Sequence, residues 1–227
     1  MDIRFLGQSA FELTDGSTTI LIDPFLSGNP KAVTGPEDHS PDVILLTHGH
    51  PDHYGDTVDI AKRTGATVLA IVELANEIAG KGVENVADPN LGGTVQFDWG
   101  WVKLVPAWHT AVTQDGTPHV AAGLLISFAG KIVYHLGDTA LFSDLKLIAE
   151  RGNRIDLSIV PIGGHYTMDR YDAVTACHFV GADTVIPCHY DTFPPIESDA
   201  EAFKSDVQNA GYGEVVILAP GETHRLR

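Results

Sequence analysis

The stretch Thr47-His48-Gly49-His50-Pro51-Asp52-His53 carries four side chains of metal-ligand type within six positions. It follows the apolar run Val43-Ile44-Leu45-Leu46, which is typical of a strand buried on both faces, so the cluster is predicted to lie on a loop at the carboxyl end of a strand. In an extended chain the first two histidines project to the same side and can share one ion. The aspartate and the last histidine follow a proline bend and can turn toward a second ion.

The ligand types in this stretch indicate which metals it suits. Imidazole nitrogens and carboxylate oxygens favour a borderline ion such as Zn²⁺, and the stretch lacks the cysteines of a structural zinc finger. The same ligand set tolerates Mn²⁺, Fe²⁺ and Ni²⁺, among which availability decides. A solvated polar loop with coincidental histidines is the alternative, but packing alone does not readily explain so dense a cluster.

Composition limits the classes to which the chain can belong. Its 227 residues, 44% of them hydrophobic, predict one domain over residues 1–227. A formal net charge of -16 repels nucleic acid and anionic membranes, and no segment has the pattern of a signal peptide or membrane span. We therefore expect a soluble cytoplasmic protein with a small-molecule substrate. The two cysteines, Cys177 and Cys188, are too few for a disulfide framework and are expected to be free, buried thiols.

The predicted elements fall into two similar halves, each a β-meander followed by strand–helix alternation. The predicted strands lie at residues 3–6, 10–13, 19–22, 43–46, 67–70, 94–97, 102–105, 121–128, 132–136, 157–160, 184–187 and 215–218. Helices are predicted near residues 57–64, 74–79, 144–150 and 171–180, and a last one is opened by the capping box Ser198-x-x-Glu201. This order predicts two sheets packed face to face with helices outside, a four-layer α/β arrangement.

The histidine motif resembles that of the metallo-β-lactamase superfamily, and the resemblance extends along nearly the whole chain. That superfamily places a third histidine after a later strand, a bridging aspartate after a further hairpin and a last histidine near the C-terminal end. The matching residues are His109 in Ala107-Trp108-His109-Thr110, Asp138 in Leu136-Gly137-Asp138-Thr139 and His189 in Pro187-Cys188-His189-Tyr190. Each is expected directly after a strand, as ligands on strand-end loops would be.

The resemblance implies a four-layer αββα sandwich that binds two divalent transition-metal ions, with Zn²⁺ favoured. It implies a first ion held by His48, His50 and His109, a second ion held by Asp52, His53 and His189, and Asp138 as a ligand bridging both. A hydroxide shared between the ions would be the nucleophile of a hydrolase, with Asp52 orienting that water and accepting its proton. Asp23 resembles the superfamily aspartate that supports the metal loop through hydrogen bonds.

At a finer level the chain resembles small metal-dependent hydrolases related to ascorbate-6-phosphate lactonase. The segments that carry this likeness are Gly7-x-Ser9-Ala10-Phe11, Asp23-Pro24-Phe25-Leu26, residues 161–168 (PIGGHYTM) and residues 189–195 (HYDTFPP). Relatives often carry histidine where this chain has Gln8, and an amide cannot replace imidazole as an acid or base.

His165 and Tyr166 follow a predicted strand and are expected to face the same rim as the metals. They are candidate catalytic residues that bind substrate, polarise its carbonyl or phosphoryl oxygen, or protonate the leaving group. A loop packed on itself explains the same residues equally well.

The remaining histidines and aromatic residues are given no catalytic role. His135 is expected to be a packed strand residue, and the thiol of Cys188 is expected to point away from the site by strand alternation. Three tryptophans suggest either core or a pocket wall, and four histidines look like solvent or helix-face residues. These are Trp99, Trp101 and Trp108, and His39, His119, His178 and His224.

The favoured function is a metal-dependent hydrolase of a small ester, lactone or phosphodiester. An RNA-processing nuclease shares the metal pattern, but the acidic balance and the lack of a basic insertion speak against it. A flavodiiron redox protein would have glutamate where this chain has His50, and an attached flavin domain. A non-catalytic, metal-stabilised binding protein is the remaining alternative. Relatives often form homo-oligomers, although the sequence shows no interface signature.

Overall fold

Two seven-stranded sheets form the centre of the computed structural model, which describes residues 1–150 and 154–227. The first sheet has the order β14-β1-β2-β3-β4-β5-β6 and the second the order β13-β12-β11-β10-β9-β8-β7. The strands are β1 Asp2–Gly7, β2 Ala10–Thr14, β3 Thr19–Ile22, β4 Val43–Leu45, β5 Thr67–Leu69, β6 Val86–Ala87, β7 Thr94–Phe97, β8 Gly100–Val112, β9 Pro118–Phe128, β10 Lys131–His135, β11 Leu157–Pro161, β12 Thr184–Cys188, β13 Glu214–Val215 and β14 Thr223–Arg225.

Helices lie on the outer faces of both sheets. They are α1 Pro51–Tyr54, α2 Thr57–Thr64, α3 Val72–Gly80, α4 Leu145–Glu150, α5 Arg170–Val180 and α6 Ala200–Ala210, with short 3₁₀ turns at Pro36–Asp38 and Pro194–Ile196. One core cluster joins the facing sides of the sheets and includes Ile60 of α2 and Leu74 of α3. A second cluster joins the outer face of the second sheet to α5 and α6. The predicted two-sheet, four-layer α/β architecture is therefore confirmed.

Parallel pairing brings the site-bearing loops to one end of this sandwich. Strand β4 pairs in parallel with β3 and β5, and β11 pairs in parallel with β10 and β12. The loops that follow β4 and β12 connect the two sheets, because the Ala122 N–H donates to the Thr47 carbonyl at 2.9 Å and the His189 N–H donates to the Gln8 carbonyl at 2.8 Å. These bonds fix the two sheets relative to each other where the histidines lie.

Several predicted element boundaries need correction. The strand predicted over residues 215–218 is shorter, since β13 spans Glu214–Val215. The last strand is instead β14, which pairs antiparallel with β1. The predicted capping box is wrong: α6 begins after Asp199, whose side chain accepts from the Ala202 N–H at 2.9 Å. Strand β14 lacks an apolar alternation, because it is a polar edge strand.

The predictions for the cysteines are confirmed, since Cys177 and Cys188 are free and buried. The side chain of Cys188 belongs to the core between the sheets. His135 is a buried residue at the end of β10, as expected, and its Nδ1 accepts from the Gly137 N–H at 3.0 Å. Within the described residues, no helix has both the length and the apolar character to cross a bilayer.

Candidate metal centre

The loop after β4 presents the contiguous part of the cluster. His48 is completely buried directly beyond the strand, and His50 precedes the first turn of α1. That turn begins at Pro51, whose fixed φ suits a helix start, and it carries Asp52 and His53. The sequence therefore supplies a rigid bend that separates two pairs of ligand-type side chains.

The three distant residues come from the second sheet. Asp138 follows β10 and His189 follows β12, both as predicted. The prediction that His109 follows a strand is wrong, since it lies within β8. The pairing of β8 with β9 shifts its register between Pro106 and Thr110, and this irregularity, rather than a strand end, marks the position of His109.

The structure brings His48, His50 and His109 together. His48 Nε2 lies 2.9 Å from His50 Nδ1, and His109 Nε2 lies 3.4 Å from the same atom. Two ligands at about 2.0–2.1 Å from a tetrahedral zinc ion would be about 3.3 Å apart. The three nitrogens thus have the mutual spacing of ligands to one ion.

Asp52, His53 and His189 form a second group. Asp52 Oδ2 lies 3.5 Å from His189 Nε2 and 3.8 Å from His53 Nε2. His53 and His189 are buried, whereas Asp52 is partly open to solvent. This group can hold one ion with its carboxylate on the open side.

Asp138 lies between the two groups. Its Oδ2 atom lies 3.1 Å from His189 Nε2, 3.3 Å from His53 Nε2, 3.7 Å from His109 Nε2 and 4.0 Å from His48 Nε2. His48, His53 and Asp138 also form a compact triple of their own. The arrangement is therefore compatible with two ions that share Asp138, or with one ion held at the centre.

Buried polar atoms without partners show that the residues of this cluster fit a divalent cation. His53 Nε2 and Asp138 Oδ1 are buried and have no hydrogen-bond partner within the described part of the chain. A buried polar atom without a partner costs about 1–3 kcal/mol, and more if it is charged. A bound divalent ion would satisfy these atoms, and the mixed nitrogen and oxygen donor set fits zinc.

Asp23 supports this cluster through hydrogen bonds to Thr47 and His53, which confirms the supporting role predicted for Asp23. Its Oδ1 accepts from the Thr47 N–H at 2.8 Å, and its Oδ2 accepts from the Thr47 hydroxyl at 2.6 Å. Oδ2 also accepts from His53 Nδ1 at 2.8 Å, which leaves Nε2 of that ring directed at the centre. Asp23 adopts a φ of 44°, a strained conformation for a residue other than glycine.

Gln8 supports the second group from the first sheet. Its side-chain amide donates to Asp52 Oδ2 at 2.8 Å, while its backbone has a φ of 56° and its carbonyl accepts from the His189 N–H. Gln8 is buried, so its amide contributes a fixed donor at this position. It therefore positions Asp52 without acting as an acid or base.

Burial and the contacts between carboxylates and imidazoles shift the pKa values of the residues in the cluster. Burial opposes ionisation of Asp138, but the neighbouring His189 and His53 hold the pKa of Asp138 well below its usual range. Burial likewise opposes charge on His189, yet the attraction of Asp138 and hydrogen bonds to both carboxylates raise the pKa of His189 to about 9. Burial and repulsion from His53 lower the pKa of His48 well below its usual value. Asp138 is therefore ionised at neutral pH.

Two histidines that were predicted to be solvent or helix-face residues have structural roles. His39 is buried, and its Nδ1 lies 2.7 Å from Glu12 Oε2. His119 Nε2 accepts from the Gly49 N–H at 2.9 Å, while its Nδ1 donates to the Thr117 carbonyl at 3.1 Å. The register of the β8–β9 hairpin brings His119 to the loop that follows β4. Local sequence therefore gives no signal for the contact between His119 and Gly49.

The close contact between the loop after β4 and the β8–β9 hairpin requires glycine at position 49. A Cβ atom there would lie 2.7 Å from Thr113 Cγ2 and 2.8 Å from His119 Cε1, so a larger residue would push the loop away. The loop between the first two histidines is thus packed closely against the β8–β9 hairpin.

A cavity of about 480 Å³ opens onto the cluster and is lined by Phe25, His50, Pro51, Asp52, His109, Thr110, Asp138, Tyr166, His189, Phe193 and Pro195. Tyr166 lies on its wall, as predicted. His165 is exposed and does not line the cavity; its ring packs at right angles to that of Tyr166 with centroids 4.5 Å apart. Trp108 is 69% exposed beside His109 and is not a core residue.

Comparison with known proteins identifies the family. The profile described as beta-lactamase superfamily domain matches residues 2–189. The chain is 46% identical over 227 residues to a UPF0173 metal-dependent hydrolase of Thermus thermophilus, covering 100% of this chain and 99% of that protein. It is 47% identical over 232 residues to one of Shouchella clausii, covering 100% of both.

A solved structure gives the same result. Igni18, described as a novel metallo hydrolase from the archaeon Ignicoccus hospitalis, superposes with a TM-score of 0.90 and 36% sequence identity, covering 100% of this chain and 99% of that one. The chain therefore belongs to the metallo-β-lactamase superfamily and, within it, to the UPF0173 family of metal-dependent hydrolases.

Proposed function

We propose that the protein hydrolyses a small ester, lactone or phosphodiester with two divalent ions, zinc being favoured. The observation that carries this proposal is the position of Asp138 Oδ2, within 4.0 Å of Nε2 atoms from both ligand groups. His48, His50 and His109 would hold the first ion, Asp52, His53 and His189 the second, and Asp138 both.

The residues around the cavity have distinct tasks in this proposal. When bound, the ions supply a water of lowered pKa and polarise the electrophile. Asp52 is fixed by Gln8 and faces the cavity, so that its carboxylate can accept a hydrogen bond from the attacking water. Tyr166 offers an O–H donor on the cavity wall for an oxygen that gains negative charge. His165 does not line the cavity and is left without a catalytic task.

Nucleic acid is not the proposed substrate. The formal net charge is -16, and none of the described residues that line the cavity is a lysine or arginine. Affinity for nucleic acids depends mainly on cationic contacts to phosphates. A small molecule is the substrate that this cavity suits.

Chelator-sensitive turnover tests the proposed function. Protein purified without a histidine tag should hydrolyse members of a panel of activated esters, lactones and phosphodiesters, and a chelator should abolish this activity until Zn²⁺ or Mn²⁺ is restored. Equal rates with and without tightly bound metal would refute the proposal. A loaded protein that turns over none of the panel would support a binding protein instead.

His119 provides a test of how the metal loop is held. We expect His119→Leu to lower zinc affinity about tenfold to a hundredfold, because the Gly49 N–H loses its acceptor and the loop its support. His119→Gln retains an acceptor and should retain most of the affinity. Competition with a fluorescent chelator measures both. Wild-type affinity in the leucine variant would show that the loop is held without His119.

A further inference from the structure

We propose that the site selects an uncharged carbonyl compound with an apolar substituent, such as an alkyl ester or alkyl lactone, over a phosphate ester. This inference rests on the proposed function and narrows its substrate class. It is carried by the chemistry of the residues that line the cavity together with the candidate metal ligands.

Apart from the ligand-type side chains, the residues that line the cavity are mostly apolar or aromatic. Phe25 and Phe193 line the cavity with ring centroids 6.5 Å apart, and Pro51, Pro195 and Tyr166 line it as well. Phe25 and Phe193 are only partly buried, so their rings present apolar surface to the cavity. A substrate substituent that covered these rings would gain about 0.8 kcal/mol for each fully buried methylene, or about fourfold in affinity.

Backbone contacts hold the two segments that carry these rings. The Phe25 N–H donates to the Asp23 carbonyl at 2.7 Å, and Gly55 packs so closely on this segment that its Cβ would lie 2.6 Å from Phe25 Cα. The Phe193 carbonyl accepts from the Ile196 N–H at 3.0 Å in the 3₁₀ turn that follows. The two rings therefore come from separate, backbone-constrained loops, one directly after Asp23 and the other after His189.

A phosphate ester would find poor partners on the same wall. Beyond any oxygen that meets the ions, its remaining charged oxygens would face aromatic rings and prolines. The described residues that line the cavity include no lysine or arginine, and the non-ligand hydroxyls among them are those of Thr110 and Tyr166. Burying charged oxygens without charge-assisted partners is costly, whereas a neutral carbonyl with an alkyl tail has no such oxygens.

A lactone series with a constant ring tests the proposal in the metal-loaded enzyme. We expect kcat/KM to rise about fivefold for every two methylenes from γ-valerolactone to γ-heptalactone and γ-nonalactone, which is below the limit for complete burial. All three should exceed p-nitrophenyl phosphate and bis(p-nitrophenyl) phosphate. In Phe25→Ala and Phe193→Ala, γ-nonalactone should lose about tenfold more kcat/KM than γ-valerolactone. Tyr171→Ala removes an aromatic ring that is 66% exposed and does not line the cavity, and should keep the full dependence on tail length.

Binding of a ketone that cannot be hydrolysed gives a second readout. Saturation-transfer NMR should show contact of the loaded protein with the tail of 2-nonanone, reduced in both phenylalanine variants when their melting temperatures and metal contents match wild type. A flat lactone series, or faster chelator-sensitive turnover of either phosphate probe, would overturn the proposal. If no probe is turned over, the proposed function fails, and the NMR signal still decides whether this wall binds alkyl carbonyl compounds.

Discussion

In the proposed dinuclear centre, Asp138→Ala is expected to weaken the binding of both metal ions together, by about 3–5 kcal/mol or two to four orders of magnitude, and to abolish hydrolysis. Its Oδ2 is the atom that approaches imidazoles of both ligand groups, from 3.1 Å at His189 to 4.0 Å at His48. Removing it leaves several buried histidines without the anion that offsets a cation's charge. Competition with a chelating dye, followed by elemental analysis, measures the loss.

Two further variants separate charge from folding. Asp138→Asn keeps the shape of the side chain but removes its charge, so we expect it to lose most of the affinity that alanine loses. Asp98→Ala removes an exposed carboxylate in the turn between β7 and β8 and should bind metal as wild type does. Loss of one ion alone in Asp138→Ala, with the other bound normally, would contradict a shared ligand.

The fold could be predicted largely because local signals agree with it. The apolar run of β4 is buried on both faces, and Gly65 ends α2 in the left-handed conformation with a φ of 74°. The order of meander and alternation then leaves few ways to cover two sheets with helices. Strand β14 escaped prediction because its residues, Thr223–Arg225, pair at an edge where no apolar face is required.

The candidate site likewise contains residues that local sequence predicts and residues whose positions depend on strand pairing. The contiguous cluster and the strand-end residues Asp138 and His189 follow from local pattern and from resemblance to the superfamily. His109 was assigned correctly to the group but to the wrong local structure, because the continuation of β8 depends on its pairing with β9. His119 reaches the Gly49 N–H only through that same hairpin. Tertiary register is a long-range property that spacing along the chain does not encode.

His50→Ala and His189→Ala are each expected to lower the metal content by about one ion per chain, and the double variant to leave almost none. His50 belongs to the first ligand group and His189 to the second, and neither belongs to the central triple of His48, His53 and Asp138. If two ions bind, each substitution removes one ligand from a different ion. Each should also reduce the rate of hydrolysis by several orders of magnitude, because both ions act on the same substrate.

Elemental mass spectrometry on tag-free protein, prepared without chelator, distinguishes this arrangement from a single central ion. About two ions in the wild type, about one in each single variant and nearly none in the double variant would establish a dinuclear centre. About one ion in all four proteins would place the metal in the central triple, since that triple is intact in every variant. His178→Ala, which removes an exposed imidazole on α5, controls for adventitious binding to surface histidines. Because His50 and His189 line the cavity from different loops and belong to different ligand groups, their separate effects on metal content report directly whether each group holds an ion of its own.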